Sequence, residues 1–264
     1  MIKRDVLKPL WYKHFLFTWS RLRPRSSYAQ FAEDNVVQNV LGNVHRFIDV
    51  GANDGITCSN SFRFALGGAQ GLLFEPTKEA FKWLSYLYSK RKECICVNEG
   101  LSDHSGGLEF RVDGLLSFAT STEDPAHTEQ DARFLSPEAE LQELPVKPLS
   151  FWLSKHSEFK IVDFVSLDVE GHELSVLKGI DFNDFETKCF VIETHGEGKS
   201  GFWLHRDYAL IERLLSENRY VYGFMSPLNS FWFHERIARS LDFRSVVEHF
   251  QGYSLRAPQA TKAN

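Results

Sequence analysis

The feature that most constrains the fold is an apolar segment that ends in a carboxylate and a glycine-rich turn, at residues 46–55. Its β-branched and aromatic residues predict a strand, which Gly51 ends abruptly, and a helical pattern follows over residues 60–66. Asp49 lies at the carboxyl end of this strand, which is where open parallel sheets bind their ligands. The segment therefore predicts an α/β domain with a binding site at this turn.

The spacing of the glycines distinguishes between turns that bind two kinds of cofactor. A dinucleotide-binding turn has the pattern G-x-G-x-x-G, whereas Asn53 occupies the second glycine position here. The observed pattern is acid-x-Gly-x-x-x-Gly, from Asp49 through Gly51 to Gly55, and it is typical of S-adenosylmethionine sites. Glycine at both positions allows the backbone to approach a ligand that a side chain would repel. A single turn of this kind is equally compatible with a plain connection between a strand and a helix.

Further predicted strands also end in acids. One short apolar strand ends in Glu75, where a carboxylate can accept hydrogen bonds from both ribose hydroxyls of an adenosyl group. A nearly continuous apolar run at residues 161–168, as expected of a central parallel strand, ends in Asp168, and another strand ends in Glu193. We expect these acids to lie at one edge of the sheet.

In their order along the chain, these segments resemble the motifs of the FkbM family of methyltransferases. The similarity spans residues 27–195 and rests on segments 27–34, 49–55, 59–60, 74–76, 98–103, 168–173 and 176–179. The resemblance implies an S-adenosylmethionine-dependent O-methyltransferase with a Rossmann-like, doubly wound α/β sheet of about seven strands, mostly parallel with an antiparallel last strand. Ala32 is a departure, because the family more often has glycine there.

The resemblance also implies which residues bind the cofactor. They are Gln30, Asp49, Gly51, Asn53, Gly55, Asn60, Glu75, Asn98 and Asp168. Gln30 and Asp34 are expected to close over the cofactor. Ordinary structural roles stay open for others, because Asn60 also suits a helix cap and Asn98 also suits a turn.

The residues that we expect to carry the chemistry come from two consecutive strands and the loops after them. They are Asp168, Glu170, His172, Glu193 and His195. An alcohol acceptor must lose its proton during methyl transfer, so one hypothesis makes His172 or His195 the general base. Asp168 and Glu193 would then orient the base or the acceptor.

The alternative is a divalent metal ion held by Asp168, Glu193 and His195. Mixed carboxylate and imidazole ligands suit Mn, Fe or Zn, whereas Mg prefers oxygen alone. Plain structural roles also stay open: a loop histidine can bond a backbone carbonyl, and Glu170 can serve as a helix-start charge.

Three regions are expected along the chain: a basic, aromatic extension at 1–26, a methyltransferase domain at 27–234, and a C-terminal helix and tail at 235–264. Apolar residues of the extension share one face at helical spacing, namely Leu7, Trp11, Phe15, Trp19 and Leu22. This helix could pack on the domain or on another subunit, or lie peripherally on an anionic membrane. The seven acids at residues 120–145 predict a solvated insert or lid.

The composition narrows the partners and the compartment. The net charge of −5 argues against nucleic acid as a partner, because proteins that bind nucleic acids need a basic surface. No apolar run is long enough to span a bilayer. The four cysteines lack metal or redox spacing, so a reduced, cytoplasmic location is expected. The resemblance implies a carbohydrate or natural-product acceptor, on which Trp203, Tyr222 or Trp232 could stack, although core packing explains them equally well.

Two other classes are compatible with parts of the sequence. A nicotinamide-dependent oxidoreductase would share Glu75 but lacks the second glycine of its turn. A non-catalytic scaffold of a glycan-assembly complex, docked through the basic extension, would need no cofactor. Binding of S-adenosylmethionine distinguishes a methyltransferase from both.

Overall fold

A computed structural model describes residues 26–113, 116–120, 139–198, 201–204 and 206–250. For residues 113, 116–118, 195–198 and 201–204 it describes the backbone alone. The expected N-terminal helix, residues 121–138 of the acidic segment and the last part of the C-terminal tail lie outside the described residues.

The strands of the described chain are β1 (Arg46–Val50), β2 (Gln70–Phe74), β3 (Cys94–Val97), β4 (Gly100–Leu101), β5 (Gly106–Asp113), β6 (Leu116–Ala119), β7 (Glu140–Lys147), β8 (Ile161–Leu167), β9 (Glu186–Glu193), β10 (His195–Gly198), β11 (Gly201–Leu204), β12 (Tyr220–Met225) and β13 (Asn229–His234). Its α-helices are α1 (Glu33–Leu41), α2 (Phe62–Leu66), α3 (Lys78–Tyr88), α4 (Leu149–Lys155), α5 (Glu173–Lys178), α6 (Tyr208–Glu217), α7 (Glu235–Ala238) and α8 (Phe243–His249). A short 3-10 helix spans Ser157–Phe159.

The main sheet has seven strands in the order β12-β13-β9-β8-β1-β2-β3. Neighbouring strands from β9 to β3 are parallel, and β13 is antiparallel to both β9 and β12. The expected seven-stranded, mostly parallel sheet with an antiparallel last strand is therefore confirmed. Strand order reverses between β1 and β8, so their carboxyl ends flank the point at which such sheets bind ligands.

Both faces of the main sheet are covered by helices. Side chains alternate along β1, so that Phe47 packs on one face while Ile48 and Val50 pack on the other. The Phe47 face packs against α1 through Val36 and Val37. Burial on both faces explains why the central strands read as almost continuous apolar runs.

A second sheet contains four strands in the order β4-β7-β5-β6, and the sequence analysis does not predict it. β7 overlaps the end of the acidic segment and pairs antiparallel with β5, so residues 140–145 belong to a sheet and are not simply a solvated segment. Leu144 and Val146 of β7 face a small core, while Glu140 and Glu143, which precede them in the strand, are exposed. These exposed acids obscure the two-residue period of the strand.

The C-terminal segment, expected as one helix over residues 235–252, forms the two short helices α7 and α8. Asp242 separates them, because its carboxylate accepts hydrogen bonds from the backbone of Arg244 and Ser245 and so caps the second helix. Among the helices of the described chain, none has both the length and the apolar character needed to cross a membrane.

Candidate functional site

The glycine-rich turn after β1 is packed against the rest of the protein. Gly51 has φ +82°, and a Cβ atom there would lie 1.8 Å from the backbone oxygen of Asp168. Gly55 has φ +79°, and its Cβ would lie 2.7 Å from side-chain atoms of Leu84 and Tyr88. In this structure the two glycines therefore allow close approach to protein atoms, and Gly51 brings the ends of β1 and β8 together.

Glu75 follows β2 and is buried beside this turn. One carboxylate oxygen, Oε2, accepts a hydrogen bond from the backbone nitrogen of Asn53 at 3.0 Å. The other, Oε1, accepts from the backbone nitrogen of Thr77 at 2.8 Å and from its hydroxyl at 2.5 Å. Burial raises the pKa of Glu75, and the hydrogen bonds from Thr77 and Asn53 oppose that rise. The carboxylate is thus fixed between the turn and the start of α3.

Asn98 lies on the far side of the same segment. Its side-chain nitrogen Nδ2 donates to the backbone oxygens of Glu75 and Pro76, at 2.8 and 3.0 Å. These bonds hold the backbone that carries Glu75 in place. Asn98 therefore has a structural role in addition to any contact with a ligand.

Asp49 is buried below the turn and belongs to a polar cluster between β1, α2 and β8. Its Oδ2 accepts a hydrogen bond of 2.5 Å from the hydroxyl of Ser61. Burial raises its pKa to about 7, with hydrogen bonding by Ser61 opposing that rise and the charges of Asp168 and Glu75 adding to it. Ser166, opposite Asp49 in the pairing of β1 with β8, extends the cluster.

Ser59 and Asn60 have different roles in the structure, the first at the start of a helix and the second in the polar cluster. The hydroxyl of Ser59 accepts hydrogen bonds from the backbone of Ser61 and Phe62, at 3.3 and 3.0 Å, at the start of α2. The side-chain amide of Asn60 instead donates to the hydroxyl of Ser166 at 3.2 Å. Capping therefore falls to Ser59, and Asn60 joins the polar cluster around Asp49.

A small cavity opens at the carboxyl ends of β1 and β2. Its lining residues are Val50, Gly51, Phe74, Pro76, Gly100, Leu101, Phe110, Val169 and His172. The second sheet contributes part of this wall, which explains why sequence reasoning about the main sheet alone misses it. Its walls are mainly apolar, as those of small-molecule sites usually are.

His172 lies in the wall of this cavity. Its Nε2 is hydrogen-bonded to the hydroxyl of Ser102 at 3.0 Å, and that hydroxyl also lies 3.4 Å from Nδ1 of His104. Burial lowers the pKa of His172, so the ring is neutral at neutral pH. The hydrogen bond of His172 is thus made to the residue that follows β4, on the second-sheet side of the site. The side chain of His195 lies outside the described part of the structure.

Three carboxylates form a separate cluster at the ends of β8 and β9. Asp168, Glu170 and Glu193 each place one oxygen within 4.8 Å of the others. Burial raises the pKa of Glu193 well above its ordinary value, and the charges of Asp168, Glu170 and Glu173 raise it further. The buried oxygen Oε2 of Glu193 has no hydrogen-bond partner within the described chain.

The loop that carries Glu170 is held by Glu173. Glu170 and Gly171 have φ +54° and +97°, so the chain reverses sharply before α5. The buried carboxylate of Glu173 accepts hydrogen bonds from the backbone nitrogens of Val169 and Gly171, each at 3.1 Å. Glu173, the first residue of α5, therefore fixes this loop.

The segment before α1 is also held by hydrogen bonds. The fully buried carboxylate of Asp34 accepts from the hydroxyl of Ser27, from the backbone of Tyr28 and from the side chain of Arg63. Gln30 is exposed. In this structure Asp34 therefore organises the leading segment itself, and its expected closure over a ligand stays a prediction.

Glu33 is a structural residue that the sequence analysis does not single out. Its side chain is fully buried, and its Oε1 accepts hydrogen bonds from the hydroxyl of Ser226 and the amide of Asn229, at 2.7 and 2.9 Å. Its Oε2 accepts from the backbone of Phe31. The preceding residue, Ala32, has φ +63°, a backbone conformation that favours glycine.

Two aromatic residues considered for stacking on a sugar have other surroundings. Trp232 is buried in the main core, and its ring nitrogen donates to the hydroxyl of Ser230 at 2.9 Å. Tyr222 packs against Trp232 with ring centroids 5.2 Å apart. Stacking by Trp232 is therefore wrong, because no face of its ring is accessible. The side chain of Trp203 lies outside the described part of the chain.

The strand order, the single antiparallel strand and the acids at the strand ends define the Rossmann-like class of methyltransferase folds. The sequence model described as "Methyltransferase FkbM domain" matches residues 49–222, which is more than half of the chain. The chain therefore belongs to the FkbM methyltransferase family. No curated protein matches its sequence.

Solved structures with a similar fold include methyltransferase FkbM from Methylobacillus flagellatus KT, with 15% identity, a TM-score of 0.44 and coverage of 72% of this chain and 44% of that one. The METTL16 MTase domain has 13% identity and a TM-score of 0.43, covering 77% and 66%. The SAM-dependent methyltransferase from Agrobacterium tumefaciens has 8% identity and a TM-score of 0.40, covering 77% and 59%. The chain thus spans less than half of the length of the Methylobacillus protein.

Proposed function

We propose that the chain is an S-adenosylmethionine-dependent O-methyltransferase that acts on a hydroxyl of a sugar, glycan or natural product. The observation that carries the proposal is the position of Glu75, a buried carboxylate that contacts the turn after β1 through Asn53. Pro76, the next residue, lines the apolar cavity. An acid beside an apolar cavity is the combination that an adenosyl group requires.

The residues around the cavity fit the adenosyl part of the cofactor. A carboxylate oxygen can accept more than one hydrogen bond, so Glu75 retains capacity for ribose hydroxyls while Asn53 and Thr77 hold it. Phe74 and Leu101 supply apolar surface for the adenine ring. His172, in the same wall, is assigned to cofactor binding.

The charges at neighbouring strand ends fit the methionine part. This part carries a sulfonium and an ammonium group, both cationic, and Asp49 and Asp168 lie at the ends of β1 and β8. The switch point between these strands is where ligands of such sheets bind. Gly51 joins the two ends, because its backbone packs directly on Asp168.

When bound, the cofactor supplies a methyl group whose bond to sulfur breaks, with the electron pair moving to sulfur, as a bond to the acceptor oxygen forms. The protein must hold the acceptor in line and receive the proton of its hydroxyl. We assign the proton to the cluster of Asp168, Glu170 and Glu193, since burial and the neighbouring carboxylates raise the pKa of Glu193. His172 is engaged by Ser102 and is not assigned as the base.

The same cluster supports an alcohol as the acceptor. A neutral amine can attack before it loses a proton, whereas an alcohol needs a proton acceptor during attack. Three carboxylates in one place also suit an acceptor that carries several adjacent hydroxyl donors, as sugars do. The cytoplasmic location, the peripheral membrane contact of residues 1–26 and homo-oligomerisation stay predictions.

The turn after β1 favours this function over a nicotinamide oxidoreductase. Asn53, at the second glycine position, has φ +50°, and its backbone nitrogen donates to Glu75. A pyrophosphate would need backbone donors of this turn for itself. In this structure the backbone nitrogen of Asn53 is already bonded to Glu75 and is not available to a pyrophosphate.

The test is a pair of calorimetric titrations of the full chain, one with S-adenosylmethionine and one with reduced nicotinamide dinucleotide. We expect binding of the first alone, and an affinity at least about tenfold weaker in Glu75→Gln, since a charge-assisted acceptor is lost. Glu79→Gln, at an exposed site on α3, is the matched control. No binding of S-adenosylmethionine, or equal binding by Glu75→Gln, contradicts the proposal. Labelled cofactor with a panel of nucleotide sugars and glycans then identifies the acceptor.

A further inference from the structure

The carboxylate cluster at the ends of β8 and β9 has the geometry of a cation site. Asp168, Glu170 and Glu193 come from two strand ends and one loop, and each directs one oxygen to within 4.8 Å of the others. Like charges at such distances repel each other in a partly buried place. A divalent cation between them would turn this repulsion into attraction.

A second observation at this cluster points to a ligand. Oε2 of Glu193 is buried and has no hydrogen-bond partner within the described residues, although the backbone of Glu193 continues a regular strand. A buried carboxylate oxygen without a partner costs free energy, because its hydration is not replaced. Coordination of a cation would satisfy this oxygen.

The geometry points to one hard divalent cation, Mg²⁺ or Mn²⁺, bound by Asp168, Glu170 and Glu193, with a hydroxyl of the acceptor completing its coordination. The part of this inference that concerns the acceptor rests on the proposed function. It replaces the ligand set predicted from the sequence, in which a histidine takes the place of Glu170.

The donor set decides the kind of metal. All three ligands in the described cluster are carboxylates, which suit Mg²⁺ and Mn²⁺, whereas Zn²⁺ in proteins is bound mainly by nitrogen and sulfur. Mg²⁺ usually keeps several water ligands beside one or two carboxylates, so three protein oxygens leave places for water or an alcohol. A hydroxyl bound to the cation becomes more acidic, and its proton can pass to a carboxylate oxygen that does not bind the metal.

The supporting residues hold the ligands before any metal binds. Glu173 fixes the loop on both sides of Glu170 through the backbone of Val169 and Gly171. The backbone nitrogen of Asp168 donates to the carbonyl of Val50 at 3.0 Å. Ligands on fixed backbone lose less conformational freedom when they bind the ion.

The test uses the full chain, freed of metal with a chelator and dialysed, and titrated with Mn²⁺ alone while electron paramagnetic resonance follows the free ion. We expect saturation at one Mn²⁺ per chain and displacement by Mg²⁺. Glu193→Gln and Glu170→Gln should each weaken Mn²⁺ binding at least about tenfold. Glu212→Gln, at an exposed site on α6, should bind Mn²⁺ as the wild type does.

Two outcomes would overturn the inference: wild-type protein that shows no saturable Mn²⁺ binding, or unchanged affinity in both cluster variants. Because Glu170 is exposed, Glu170→Gln tests the ligand role even where Glu193→Gln disturbs the fold. A separate calorimetric titration with S-adenosylmethionine distinguishes the two proposals. Cofactor binding without Mn²⁺ binding refutes the metal site alone, and the reverse result refutes the proposed function alone.

Discussion

Gly51 lies directly against the backbone carbonyl of Asp168, so closely that a Cβ atom on Gly51 would come within 1.8 Å of that oxygen. The backbone nitrogen of Asp168 in turn donates to the carbonyl of Val50 at 3.0 Å. The turn after β1 and the end of β8 are therefore one packed unit. Any change at Gly51 acts on the cofactor turn and on the carboxylate cluster together.

Gly51→Ala should destabilise the fold strongly. The added methyl group meets backbone atoms, which cannot move aside as a side chain can, and the residue must also keep φ +82°. We expect a loss of about 4 kcal/mol or more in the free energy of unfolding, measured with a chemical denaturant. Gly42→Ala is the matched control, because Gly42 has φ +68° but no atom within 4 Å of its Cβ position. It should cost about 2 kcal/mol, because φ +68° with ψ −122° is a conformation that glycine alone adopts readily. Equal losses in the two variants would contradict the packing argument.

Ala32→Gly should stabilise the protein. Ala32 has φ +63°, a left-handed conformation that costs a residue with a Cβ about 1 kcal/mol. Removal of the methyl group relieves this strain, and we expect a gain of about 0.5 kcal/mol after the entropic cost of glycine. Ala80→Gly, equally buried but within α3, should instead lose about 1 kcal/mol. Both free energies of unfolding can be measured by denaturation with the same denaturant. A lower free energy of unfolding for Ala32→Gly would contradict the claim that Ala32 is strained.

Asp49 should make stability depend on pH. Its folded pKa of about 7 exceeds its ordinary value of 3.8, so between these values the folded protein binds the proton and the unfolded chain does not. Stability should therefore fall as pH rises from about 4 to about 7, at up to about 1.4 kcal/mol per pH unit, and level off above. Asp49→Asn removes this dependence. The free energy of unfolding of the variant should therefore rise relative to that of the wild type between pH 5 and pH 8. Parallel stability curves for the two proteins would refute this assignment.

His172→Ala should affect cofactor binding more than the chemical step. The ring lines the cavity and is hydrogen-bonded to Ser102, so its loss leaves an unfilled wall. We expect a rise of about tenfold in the KM for S-adenosylmethionine, with kcat and its pH profile nearly unchanged. His104→Ala, at an exposed position beside the same network, is the control. A kcat that falls by about a hundredfold or more with KM unchanged would restore His172 as the general base.

The central sheet could be predicted from the sequence because its strands are buried on both faces and end in acids. The predicted strand at residues 161–168, for example, corresponds to β8, which spans Ile161–Leu167. The second sheet could not be predicted, because Glu140 and Glu143 make β7 resemble the rest of the acidic, solvated segment. When only one face of a short strand is buried, charged residues on the exposed face mask the two-residue pattern of its apolar residues.

The positions of the acids at the strand ends were predicted better than their contacts. Glu75, Asp49 and Asp168 lie at strand ends as expected, since parallel strands bring their carboxyl ends to one edge. His172 was grouped with the acids, yet its partner Ser102 is 70 residues away in the sequence. Neighbours that come from distant segments depend on tertiary packing, and no local spacing encodes them.

The buried bonds of Glu33 bear on the order in which the chain can assemble. Its partners Ser226 and Asn229 lie 193 and 196 residues later. During synthesis, the Glu33 carboxylate at the start of helix α1 therefore lacks these two partners until the final hairpin has left the ribosome. Until then a carboxylate destined for the interior stays hydrated, and early collapse of this helix onto the growing sheet is disfavoured.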